Sequence, residues 1–135
     1  MKIESLSYVS IETTDLQEWD DYAKNVVGLM KNESLSDDHN LYLRMDEKAF
    51  RFHIQTGGSK KFIAAGLNIR GKEEFEVAKN ELTSANIEFA DFSDELIAAR
   101  CVEDGITLKD PAGNTLEISY GGADADEPFL SPQDI

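Results

Sequence analysis

Lys109-Asp110-Pro111-Ala112-Gly113-Asn114-Thr115-Leu116-Glu117-Ile118-Ser119-Tyr120 is a tight turn feeding a strand. Pro111 fixes φ at the second turn position, Gly113 and Asn114 tolerate positive φ, and Asp110 is placed to bond back to the turn backbone. Beyond the turn, Leu116, Ile118 and Tyr120 alternate with Thr115, Glu117 and Ser119, the period-2 pattern of a strand with two chemically different faces. Glu117 falls on the polar face at mid-strand. A carboxylate held that rigidly suits a metal, and it equally suits plain exposure to water.

The rest of the chain has the same two-unit logic. Ile3 to Glu12 alternates as a strand. Thr14 stands three residues before Gln17, a capping-box spacing that predicts a helix start. Leu16, Trp19, Tyr22, Ala23 and Val26 follow at helical spacing as a core-facing stripe, and Gly28 is placed to close the helix in a left-handed cap. Short strands follow over 29–33, 41–45 and 50–55, the last two around the acidic turn Asp46-Glu47-Lys48. The order then repeats. A strand over 62–69, a helix over 72–85 with Phe75, Ala78, Leu82 and Ala85 on one face, a short strand over 87–89, a single-turn helix capped by Ser93 through Ile97, a strand over 105–108 and the opening stretch complete a second unit. Trp19 over Phe75 and Val26 over Leu82 both give an offset of 56 residues, which predicts a duplicated module.

These readings give an α+β fold. Two βαβββ modules, about 3–56 and 61–120, form a curved mixed sheet around a concavity, with the helices outside. A single domain then spans 1–120, and 121–135 is an acidic, linker-like tail. Each module has one long helix for four strands, so one sheet face is left over as a place for a ligand.

Composition narrows the function classes. The chain has 135 residues, 13 basic against 27 acidic, for a formal net charge of −14. Such a surface repels phosphate backbones and anionic lipid, so nucleic-acid and membrane partners are not expected. No apolar run approaches the roughly 20 residues of a membrane-spanning helix, and residues 1–10 lack a signal-peptide layout. The single cysteine, Cys101, excludes a disulfide framework and a thiolate cluster, and a cytoplasmic location follows. Arg100, beside Cys101, is placed to lower the thiol pKa; without a paired His, the thiol reads as a packed small residue. Arg44, Arg51 and Arg70 could each hold a carboxylate bidentately, and in so acidic a chain they read first as internal ion-pair partners.

The stretch from Asp110 to Glu117, the twin modules and the helix ending Val26-Val27-Gly28-Leu29 together resemble the vicinal oxygen chelate superfamily, which holds glyoxalase I, bleomycin-resistance proteins and type I extradiol dioxygenases. Ser7-Tyr8-Val9-Ser10-Ile11-Glu12, Leu41-Tyr42-Leu43-Arg44-Met45-Asp46 and Ala99-Arg100-Cys101-Val102 resemble the non-catalytic N-terminal domain of two-domain extradiol dioxygenases. Pro128-Phe129-Leu130-Ser131-Pro132 is similar to the segment linking the two domains of those enzymes.

The resemblance implies a divalent metal, Fe(II) or Mn(II), on two His and one Glu in a catalytic domain. Carried onto this chain, the first His position falls on Tyr8, the second around 64–66, and only Glu117 is retained as a metal ligand. Tyr8, His53 and Gln55 are the candidate ligand-binding residues on the concave face, although Tyr8 also reads as filling the space of a metal and His53 as solvated or hydrogen-bonded. The first functional expectation is an aromatic ring-cleavage-type domain that carries no cofactor and no catalysis of its own, working with a second, catalytic domain. The second is a free-standing dioxygenase or glyoxalase-like enzyme with a metal site formed across a homodimer. The third is a metal-free, bleomycin-resistance-type binder of a small molecule, aromatic or other; the −14 charge favours a cationic one.

Overall fold

The computed structural model describes residues 1–132. They divide into two compact units: Met1–Ser7 with Ala64–Ala123, and Tyr8–Ile63 with the segment from Asp124. The fold is α+β, and the βαβββ order predicted for each module is present in each unit.

In the unit built on Tyr8–Ile63, strand β1 (Ile3–Thr13) leads into helix α1 (Leu16–Tyr22) and then β2 (Met30–Lys31), β3 (Asn40–Arg44) and β4 (Phe52–Thr56). The strand order is β2-β3-β4-β1, with β1 parallel to β4 and the other neighbours antiparallel. Leu41, Leu43 and Ile54 point to the helix side and form a core with Ala23 and Leu29, against which Ile11, Leu16 and Trp19 pack.

Two details of α1 differ from the expected helix. Asp15, not Thr14, is the N-cap, its Oδ1 accepting from the Glu18 N–H at 3.2 Å, so the capping side chain stands one residue later. From Ala23 to Val27 the helix widens to a π-turn, closed by the Gly28 and Leu29 N–H groups donating to the Ala23 carbonyl. A wider turn holds one residue more, which moves the following side chains off the core stripe. Val26 is therefore 65% exposed and Tyr22, at the stripe's edge, 53%; the expected core stripe contracts to Leu16, Trp19 and Ala23. Gly28 ends the helix as expected, at φ 85°.

The other unit repeats the plan with β5 (Lys61–Ile69), α2 (Lys72–Ser84), β6 (Ala90–Asp91), α3 (Asp94–Arg100), β7 (Asp104–Lys109) and β8 (Thr115–Tyr120). Its order is β5-β8-β7-β6, with β5 parallel to β8. Phe75, Ala78 and Leu82 of α2 bury against Ile69, Ile106 and Ile118; full burial of each large side chain contributes about 1.5–3 kcal/mol. β6 lies later than the expected 87–89. Residues 85–87 are still leaving α2, with Asn86 at φ 60° and the Ile87 N–H bonded to the Leu82 carbonyl. The expected single-turn helix after Ser93 runs on to Arg100 and closes on Cys101 in the left-handed region, φ 56°.

Strand registers make the internal repeat explicit. Ser10 sits opposite His53 in β1 and β4, and Tyr42 sits on the other side of His53. Gly66 sits opposite Glu117 in β5 and β8, with Thr107 on its other side. Ser10 and Gly66 keep the 56-residue offset, so His53 and Glu117 occupy equivalent positions in the two modules.

Candidate functional site

The turn before β8 is built as its residues suggest. Asp110 Oδ1 accepts the Asn114 N–H at 2.8 Å and Oδ2 accepts Asn114 Nδ2 at 3.1 Å, which holds the Asp110 carboxyl below its ordinary pKa. Gly113 takes the positive φ, 89°, whereas Asn114 serves the turn through its side chain.

β8 then delivers Glu117 into a site of its own. The residue is only 3% exposed. Arg100, at the last position of α3 and 4% exposed, donates from Nε to Oε1 at 2.7 Å and from Nη2 to Oε2 at 3.1 Å. Both carboxylate oxygens thus meet the planar edge of one guanidinium, the strongest geometry for such a pair. Beside it the β-sheet face is closed by Phe92: a Cβ built at Gly105 would come within 2.4 Å of the Phe92 ring. On the face opposite α2, expected to be left over, Arg100 meets Glu117 and Phe92 lies over Gly105. Serving this pair is the role of Arg100, which sequence reasoning attached only to Cys101. The Cys101 thiol departs in the opposite sense from that reading: burial pushes its pKa up, and the adjacent guanidinium is turned to Glu117.

In the other unit the equivalent face carries an aromatic cluster. Tyr8 is 2% exposed and its ring lies 5.2 Å from that of Phe50. The Phe50 ring meets Tyr42 edge-on at 5.1 Å, and Tyr42 stacks on the His53 imidazole at 4.2 Å and 5°. His53 Nε2 bonds Asn40 Oδ1 at 2.8 Å. The Asn40 amide is oriented in turn by Asp37, whose carboxylate accepts from Asn40 Nδ2 at 3.1 Å, so Oδ1 must face the imidazole and Nε2 of His53 donates. Gln55 is half-buried on the same strand face, opposite Glu12 and Asn40 in register. Tyr8 and His53 are thus brought together around Phe50, with Gln55 two residues along β4.

These donors do not fit a divalent ion. Glu117 gives both oxygens to Arg100, its strand neighbour Gly66 has no side chain, and His53 Nε2 is a donor to Asn40. Among the described residues no group of three His, Cys, Asp or Glu side chains is arranged to hold a metal. No described helix is long and apolar enough to cross a membrane.

Comparison with known proteins places this geometry. Residues 6–57 match the family model for the dihydroxybiphenyl dioxygenase BphC D1 domain. An iron-dependent extradiol dioxygenase of Rhodococcus jostii is 34% identical over 132 residues, covering 98% of this chain and 44% of the relative. A biphenyl-2,3-diol 1,2-dioxygenase of a Pseudomonas species is 35% identical over 131 residues, and the match covers 44% of it. The crystal structure of a catechol 2,3-dioxygenase superposes with a TM-score of 0.93 at 30% identity, over 100% of this chain and 48% of that one.

The chain belongs to the vicinal oxygen chelate superfamily. Within it, the chain aligns with the N-terminal domain of type I extradiol dioxygenases, and it spans less than half the length of the relatives it matches.

Proposed function

We propose that this chain is an extradiol-dioxygenase-type domain that supplies structure and an assembly surface, and that ring cleavage belongs to a second domain or partner bearing the complete His, His and Glu set. The observation that carries this reading is the Arg100 fork on Glu117, which occupies the one carboxylate retained at a ligand position. The aromatic packing of Tyr8, Phe50 and Tyr42 around His53 supports it in the other module, since those rings fill the room a small ligand would need. In this reading Tyr8, His53 and Gln55 pack the domain rather than bind a substrate, and Glu117 is a structural counter-ion. The domain occupies 1–120. The acidic segment after it connects onward, its first part held by the Ala125 N–H on the Glu47 carbonyl and by Ser131 Oγ on the Gly28 carbonyl; residues 133–135 of the expected tail lie outside the described residues. A cytoplasmic setting suits a chain with one cysteine and this acidic a surface.

The test is oxygen uptake by the purified chain after anaerobic loading with Fe(II) or Mn(II), offered catechol, 3-methylcatechol, biphenyl-2,3-diol and 1,2-dihydroxynaphthalene. The proposal expects no uptake and no retained stoichiometric metal after desalting. Ring cleavage by the chain alone would overturn it.

A further inference from the structure

Three arginines of the Arg44–Arg100 stretch are held in side-chain contacts, and one of them lacks a counter-ion. Arg51 presents Nε and Nη2 to the Asp46 carboxylate, with Nη2 at 2.7 Å from Oδ2. Arg100 presents the same edge to Glu117. Arg44 is 2% exposed, yet among the described residues no carboxylate lies within ion-pair distance of it. Its contacts are the Asp46 carbonyl, 3.2 Å from Nη2, and the Met30 thioether, 3.7 Å from Nη1, while Nε has no partner at all. Asp46 cannot help, because its carboxylate is taken by Arg51.

A buried guanidinium stays charged at any ordinary pH, and a buried charge with no counter-charge is costly unless something pairs with it. Arg44 lines a cavity of about 210 Å³ together with Met30, Lys31 and Ala125. That volume lies below the roughly 300–1,000 Å³ of drug-sized ligand pockets, so the occupant is small. Its mouth carries exposed carboxylates, Glu33, Asp126 and Glu127, which oppose an entering anion without reaching the guanidinium. Asn32 cannot serve as the recognition group, since its amide is committed to the Ala49 carbonyl and to Ser34.

We infer that this cavity is a binding site for a small oxyanion, a carboxylate or a phosphate, seated on Arg44. The site lies in one module and is independent of the reading of Glu117. An oxyanion seated there would supply the counter-charge that the Asp46 carbonyl and the Met30 thioether do not.

The experiment is thermal unfolding of the 135-residue chain at pH 7, titrated with sodium acetate or sodium phosphate at constant ionic strength. A ligand bound only by the folded state multiplies the folding constant by 1 + [L]/Kd, about a hundredfold at a hundredfold excess over Kd. The expected result is a saturable rise of the unfolding midpoint that is absent in Arg44→Met. That variant itself is expected to unfold at a higher temperature than the wild type without anion, because it removes an unpaired buried charge at similar volume. The double variant Asp126→Asn/Glu127→Gln keeps Arg44 and removes repulsion at the mouth, so it should bind the anion about twofold tighter or better. A response to acetate alone identifies a carboxylate site, to phosphate alone a phosphate site, and to both a general oxyanion site. No saturable rise with either anion, an equal rise in Arg44→Met, or an unchanged affinity in the double variant would overturn the inference.

Discussion

Arg100 and Glu117 stand 17 residues apart in the chain and form a buried, two-point ion pair, with Nε 2.7 Å from Oε1 and Nη2 3.1 Å from Oε2. Glu117 is fixed by the register of β8 against β5 and β7; Arg100 is fixed by α3, which Ser93 starts by accepting the Leu96 N–H at 3.1 Å. The corresponding position in the other module holds His53, whose partner is a neutral amide. The duplication has therefore kept the backbone register and changed the chemistry at the repeated position.

Breaking the pair from either side should be costly. Arg100→Met takes the guanidinium away from a buried carboxylate, and Glu117→Leu takes the carboxylate away from a buried guanidinium. Loss of one partner from a buried pair costs about 3–5 kcal/mol, while replacing both by apolar residues of similar volume is far milder. Urea unfolding of Arg100→Met, Glu117→Leu and the double variant measures this. The double variant should be more stable than either single one, and additive losses would mean the two side chains do not act on each other.

His53 is held by a stack and a hydrogen bond, and the two can be separated. His53→Phe keeps a ring over Tyr42 but removes the donor to the half-buried Asn40, so it should cost about 0.5–1.5 kcal/mol, the usual net worth of one hydrogen bond. His53→Ala removes the ring as well and should cost about 3 kcal/mol or more, in line with truncation of a buried ring. Equal losses in the two variants would show that Tyr42 stacking contributes nothing.

The elements legible in the sequence were those with a local cause. The turn at 110–114 is written in Asp110, Pro111 and Gly113, and β8 in a period of two. The repeat was legible because β1 and β5, and α1 and α2, keep one offset. The π-turn was not legible, since nothing in Ala23-Lys24-Asn25-Val26-Val27 marks a wider turn, and reading it as ordinary helix placed Val26 in the core. Arg100 was missed because its function comes from Glu117 on another element; read along the chain, its visible neighbour is Cys101. Stopping α3 at Ile97 also left Arg100 outside any element. The available signal was a charged residue among Leu96, Ile97, Ala98 and Ala99, where an unpaired arginine is unexpected.

Asp46 gives the chain an acid-side dependence that can be assigned. The hydrogen-bonded Arg51 fork, with the Lys48 N–H, holds its carboxyl below the ordinary value of 3.8. A group whose pKa is lower in the folded state stabilises the fold above its unfolded pKa, and that contribution is lost as pH falls through the folded value. The pair is partly exposed, with side-chain accessibilities of 24% and 44%, so its worth is about 0.5–1 kcal/mol, at the upper end for such pairs because the geometry is bidentate. Asp46→Asn should therefore lower stability by that amount at pH 6–7, and the difference from wild type should fade below about pH 3.8. A difference that persists unchanged at pH 2.5 would assign the effect to the backbone bonds of the turn instead.

Cys101 carries the last prediction. Its thiol is half-buried, its pKa is raised by desolvation, and its Sγ lies 3.7 Å from the Ala98 carbonyl of its own helix end. The thiolate is the reactive form, so a raised pKa leaves less of it at neutral pH. Alkylation by iodoacetamide at pH 7 should be slower than for a free cysteine in the unfolded chain, and its pH profile should rise later. Arg100→Met tests whether the neighbouring charge matters. Because that guanidinium is spent on Glu117, the variant's alkylation profile in the folded state should match the wild type, whereas a further upward displacement would show that Arg100 had been stabilising the thiolate.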